Sequence, residues 1–328
     1  MLRTLRPFLI TLVCTWLALV LAAIVYSKRL THSSWILTAA LPAFLVESAL
    51  YLASVFTETR AWFATLRPVR LQGMLLWASA LIPYSILSLA AGTFHNNAFY
   101  LLAVLTGVFA MWHAILPRRV AYDVGFLVIA AAPFITRVFT RLYISPDPHV
   151  QMDILGHLMW IRTGLIALLV LRAWNPGPFS FWPTAREWRM GGIAFLCAIV
   201  PLLGLALALH DVHYAPLTSP WWRVGGLTLG YFFSALWVIA LGEELFFRGV
   251  IERVLLDHRK VPAVAVAVSS VLYGCVHLWF RAFPNWQHAV VTTLLGGALG
   301  VVYFRAGSVR ASMVTHALVV TTWRVFFK

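Results

Sequence analysis

The chain has 328 residues, 61% of them hydrophobic and 11% charged, with a mean hydropathy of +0.84. Soluble domains are roughly half apolar and a quarter charged, so no aqueous core of this length hides so much apolar surface, and the solvent is lipid. The formal charge of +14 does not point to nucleic acid, because the basic residues sit in short segments between apolar runs, not along one tract or face.

In chain order, apolar stretches of about 17–22 residues, the length that crosses a hydrocarbon core at 1.5 Å per residue, fall near 8–26, 35–56, 73–91, 98–115, 123–140, 152–172, 191–209, 225–247, 262–280, 287–304 and 312–327. The expected fold is all-α, a polytopic transmembrane helix bundle of roughly eleven spans. If every stretch crosses, one parity of loops collects Arg3, Arg6, Arg60, Arg67, Arg70, Arg118, Arg119, Arg172, Arg186, Arg189, Arg253, Arg259, Lys260, Arg305 and Arg310. The other holds only Lys28, Arg29, Arg137, Arg141, Arg223, Arg281, Arg324 and Lys328. The positive-inside rule then places the N-terminus in the cytoplasm and, after an odd number of spans, the C-terminus outside. The expected location is the cytoplasmic membrane, with the first run an uncleaved signal anchor, since it is too long for a signal-peptide core.

Glu47, His113, His157 and Arg162 lie at membrane depth on separate spans of the N-terminal half, without repeated spacing. Mutual pairing or packing inside the bundle is the expectation for them. Cys14, Cys197 and Cys275 are isolated within apolar stretches and read as packing residues. The polar segment from Trp174 to Arg189, with Asn175-Pro-Gly-Pro178 and Pro183, interrupts helix. It suggests an N-terminal multi-span region, 1–190, of unassigned role, and a C-terminal domain, 191–328.

The densest ionisable cluster at membrane depth is Leu241-Gly-Glu-Glu-Leu-Phe-Phe-Arg-Gly249. Adjacent carboxylates beside lipid need compensation. Glu244 and Arg248, four residues apart with the acid first, form a favourable helical pair. Glu243, turned about 100° away, is then free to face the bundle interior as a general base. The following spans carry Tyr273-Gly-Cys-Val-His277 and His316-Ala-Leu-Val-Val320. A lone histidine in an apolar helix is more often a bonded core residue than a catalyst. A Glu-Glu pair and two histidines on successive helices shift that balance toward chemistry.

The Glu243-Glu-x-x-x-Arg248 motif, the aromatic-x-x-x-His motif ending at His277 and the final His316 resemble those of the CAAX prenyl protease 2 family. These are also called CPBP or Abi proteins, type II CAAX endopeptidases and bacteriocin-processing enzymes. Gly296-Gly-Ala-Leu-Gly300, Tyr303-Phe-Arg-Ala-Gly-Ser308 and Thr315-His-Ala317 resemble the family in order and spacing. The resemblance covers about residues 225–328. It implies an intramembrane glutamate endopeptidase in which Glu243 activates water with help from His277 and His316 sits at the oxyanion. Glu244 and Arg248 would hold the site, and Tyr273 would stand where the family usually has Phe. Val320 replaces a common Asn, which implies a weak enzyme, a pseudoenzyme, or rescue by Thr315, Thr321 or a backbone group.

The implied substrate is a hydrophobic, lipid-tethered or membrane-anchored peptide, with the lipid bilayer as the other partner and no cofactor. Competing readings are a zinc site through Glu243, His277 and His316, the His₂Glu set of some metalloproteases; a non-catalytic immunity or scaffold protein; a transporter using the buried charges; and a Cys275 nucleophile. The last is disfavoured because Cys275 and His277 diverge by about 200° on a helix.

Overall fold

The computed structural model describes residues 2–27, 34–145, 150–215, 220–259 and 261–327; Lys28, Arg29, Lys260 and Lys328, counted in the charge asymmetry, lie outside the described residues. Its elements are α1 (Leu2–Ser27), α2 (Ser34–Val55), α3 (Thr57–Thr65), α4 (Val69–Ala90), α5 (Asn96–Ile115), α6 (Val120–Thr136), α7 (Val138–Leu142), α8 (Asp153–Ile166), α9 (Ala185–Ala208), α10 (Trp221–Ser234), α11 (Leu241–Glu244), α12 (Arg253–Arg259), α13 (Pro262–Val276), α14 (Trp286–Ala306) and α15 (Val309–Phe326). The protein is an all-α, polytopic, multi-pass membrane protein, with no strand among the described residues.

Nine described helices are long and apolar enough to cross a membrane. The fifth predicted stretch forms the shorter helix Val120–Thr136. The last, α15, is not among the nine, and Arg310 and Arg324 dilute its apolar run. The stretch predicted at 225–247 belongs to one continuous span, Trp221–Asp257. Two π-helical segments, Ala235–Ala240 and Leu245–Glu252, flank α11 within it.

The chain divides into two compact units, Met1–Trp174 and Asn175–Lys328. Within the first, the scattered polar residues find local partners. Arg162 Nε donates to Glu47 Oε1 at 2.8 Å, and its other nitrogens donate to the hydroxyl and carbonyl of Ser79. Both charges are buried, so each depends on the other for compensation. His157 packs against the rings of Phe134 and Phe139, and His113 against Phe126, so aromatic surface takes up much of their environment. The cysteines depart from expectation: Cys14, Cys197 and Cys275 are all exposed on the helix surfaces, where the small apolar thiol suits lipid as well as a packed core.

In the second unit, local sequence sets the helix ends. Thr184 and Glu187 form a capping box at the start of α9. Glu187 also pairs with Arg310 at 2.9 Å, joining the beginnings of α9 and α15. Pro262 opens α13, Asn285 caps α14 through the His288 amide, and Gly307, at φ 63°, ends α14 before Ser308 caps α15. The core joins Leu202, Phe247, Tyr273, Leu295 and Val319.

Close approach of α13 to α14 depends on Gly274. A Cβ there would lie 2.6 Å from the Ala289 carbonyl oxygen and 1.8 Å from Thr293 Oγ1. Because the carbonyl is backbone, the helices themselves would have to separate. Gly274→Ala is therefore expected to destabilise the protein by about 1–3 kcal/mol, read as a lowered unfolding midpoint in mixed detergent micelles.

Candidate active site

The site is built on α11, α13 and α15. The two π-helical segments give wide turns on either side of Glu243 and Glu244. A π turn takes in an extra residue, so it re-aims the side chains beyond it relative to an unbroken α-helix, a device frequent at functional sites. The expected Glu244–Arg248 pair survives this change, at 3.4 Å and with both side chains fully buried. Arg248 Nε approaches Glu244 Oε2 at that distance without the alignment of a hydrogen bond. The guanidinium makes up the difference elsewhere: Nη2 donates to the Gly296 carbonyl at 2.9 Å, and the charge lies 4.7 Å from the centre of the Tyr273 ring.

Glu244 has a second task. Its Oε1 lies 2.8 Å from His316 Nδ1, so the ionised carboxylate fixes Nδ1 as the protonated nitrogen and turns Nε2 toward the site. His316 sits about two turns into α15 and is almost completely buried. Glu243 does not follow Glu244 into the packed interior as expected: its side chain keeps 34% of its exposure. The carboxylate is held at one oxygen, Oε2, which accepts from the Tyr273 hydroxyl at 2.9 Å and lies 3.9 Å from His316 Nε2.

His277 stands at the end of α13, in a short 3₁₀ turn, because the α-helix stops at Val276. Its Nδ1–H donates to the Tyr273 carbonyl at 2.7 Å, leaving Nε2 as the nitrogen available for chemistry. The imidazole packs 4.6 Å from the Tyr273 ring and is not hydrogen-bonded to Glu243. The three candidate catalytic groups therefore gather around Tyr273. Glu243 and His316 approach its hydroxyl, and His277 its carbonyl and ring.

The hydroxyls of Thr315 and Thr321, named as candidates to replace the Asn side chain that Val320 lacks, are both bonded to backbone carbonyls. Thr315 donates to the carbonyls of Gly191 and Ala311, and Thr321 to that of Ala317. Three further residues, His288, Asp211 and Glu252, escaped the sequence reading. His288 Nδ1 lies 3.0 Å from Asp211 Oδ2, and the His288 ring is 5.6 Å from that of His277. The available signal was the Asn285 cap, which puts His288 in the first turn of a span. Glu252, one turn beyond Arg248, is wholly buried, and the bare Gly300 makes room for it, since a Cβ there would come within 2.8 Å of Oε2.

Among the described residues, no group of three His, Cys, Asp or Glu side chains is arranged to hold a metal ion. Of the proposed zinc set, His316 has Nδ1 on Glu244 and Nε2 near the Tyr273 hydroxyl.

Fold and site together define a multi-pass membrane protein with a carboxylate–imidazole cluster in its second unit. Residues 225–322, which include Glu243, Glu244, Arg248, Tyr273, His277 and His316, match the family model described as type II CAAX prenyl endopeptidase Rce1-like. The match supports a CAAX-type intramembrane protease at the level of the family. No curated protein and no solved structure matches the chain.

Proposed function

We propose that the protein is an intramembrane endopeptidase that hydrolyses a peptide bond in a hydrophobic, lipid-tethered or membrane-anchored peptide. The observation that carries this reading is the approach of Glu243 and His316 to one buried hydroxyl, on helices within the segment that matches the endopeptidase family. Glu243 Oε1, the oxygen not engaged by Tyr273, takes a proton from water, while His277 Nε2 orients that water. The water oxygen attacks the scissile carbonyl. His316, in its protonated form, donates from Nε2 to the oxyanion, and the proton held by Glu243 passes to the leaving amine. Glu244 and Arg248 hold His316 and the α11 turn in place.

The proposed reaction needs no metal, since a carboxylate base and an imidazole donor together supply the nucleophile and the oxyanion contact. The charge asymmetry supports a place in the cytoplasmic membrane with the N-terminus inside. The residues proposed to act all lie in the second unit, Asn175–Lys328, and the first unit holds its own buried Glu47–Arg162 pair.

The test uses purified full-length protein in liposomes with an internally quenched peptide bearing a farnesylated C-terminal CAAX sequence. Cleavage after the prenylated cysteine, persisting after stringent chelation, is expected. An intact peptide overturns the endopeptidase reading, and activity lost to chelator and restored by zinc overturns the metal-free one.

A further inference from the structure

We infer that the Tyr273 hydroxyl is a positioning group for the proposed hydrolysis, fixing the Glu243 carboxylate and the His316 imidazole relative to each other; the inference rests on the endopeptidase reading. The hydroxyl lies 2.9 Å from Glu243 Oε2 and 3.4 Å from His316 Nε2. In the substrate-free site, with His316 protonated, it accepts from Nε2–H, which turns to the oxyanion only when that forms, and donates to Glu243.

Three contacts hold the ring that carries this hydroxyl. Phe247 meets it edge-on at 5.0 Å, the His277 imidazole lies at 4.6 Å, and the Arg248 charge covers it at 4.7 Å. Tyr273 is 1% exposed, so its oxygen has no freedom to swing toward solvent. A phenylalanine would meet every one of these ring contacts. The additional hydroxyl is costly in such surroundings unless bonded, and both of its neighbours are candidate catalytic groups.

The consequence falls on Glu243. Its side chain is only partly enclosed and, without an anchor, would sample several rotamers. Tyr273 holds Oε2 and thereby leaves Oε1 in one place for the water. Among the described residues, no other side-chain hydroxyl reaches both Glu243 and His316, because those of Thr315 and Thr321 are spent on backbone carbonyls.

Tyr273→Phe in the full chain, assayed in liposomes with the farnesylated quenched peptide, is expected to lower kcat by about 10- to 100-fold, the size of one lost hydrogen bond to a charged group. KM stays within about twofold and the thermal midpoint is unchanged, because the packing is retained. A readout independent of turnover is the ¹⁵N spectrum of histidine-labelled protein in micelles, in which the same substitution is expected to move the His316 Nε2 resonance. A wild-type kcat in Y273F beside an inactive E243Q overturns the inference alone, as does an unmoved His316 resonance. A wild-type protein that leaves the peptide intact overturns the endopeptidase reading as well.

Discussion

Glu243→Gln is expected to reduce kcat on the farnesylated peptide by about 10²- to 10⁴-fold, the range that a positioned general base supplies. The substitution isolates the base from the architecture. A glutamine has nearly the shape of glutamate, and its amide oxygen still accepts from the Tyr273 hydroxyl that now lies 2.9 Å from Oε2. What it lacks is the capacity to take a proton from water. Folding and thermal midpoint should therefore match the wild type, so that lost turnover reports chemistry and not collapse. A protein that merely bound peptides through this cluster would keep its phenotype, since shape and hydrogen bonding are nearly retained.

The largest effect on stability is expected from Arg248→Met, about 3–5 kcal/mol. Glu244 and Arg248 are both fully buried, and with the guanidinium removed the carboxylate loses its permanently charged partner and keeps only the hydrogen bonds of His316 and Ser312. The Gly296 carbonyl also loses its donor. Methionine keeps the aliphatic stem, so little of the loss comes from packing. The cause is checked by the double variant E244Q/R248M, which removes the stranded charge together with its partner. Equilibrium unfolding in mixed micelles should show the double variant markedly more stable than R248M alone, because the penalty belongs to an unpaired charge and not to the absence of the pair. Equal losses in the two variants would assign the role of Arg248 to the Gly296 and Tyr273 contacts.

The spans were legible in the sequence because crossing lipid demands length and apolarity, which any window of the chain displays. The Glu244–Arg248 pair was legible for a similar reason: spacing along one helix is a local property. The pairing of Glu47 with Arg162 was foreseeable only as a general tendency of buried charges to find one another, since those residues are far apart in the chain. The same limit hid the Asp211–His288 pair, whose members gave no local signal of partnership. The π-helical turns around Glu243 also escaped, because α and π hydrogen bonding draw on the same residue types. Glu243, expected to turn inward, lies in the α segment between them and stays partly exposed. Tyr273 was singled out for its aromatic ring, whereas the structure brings its hydroxyl to Glu243 and His316. A hydroxyl's partner depends on where three helices cross, and no spacing rule reports that.

The most direct test of a water held by Glu243 and His277 beside an oxyanion contact from His316 is a structure of the full-length E243Q protein with the uncleaved farnesylated peptide bound. The account predicts the scissile carbonyl oxygen within hydrogen-bonding distance of His316 Nε2, and a water between residue 243 and His277 on the attacking face. A peptide bound with its scissile bond away from these three side chains, or a metal ion in the place of the water, would contradict it.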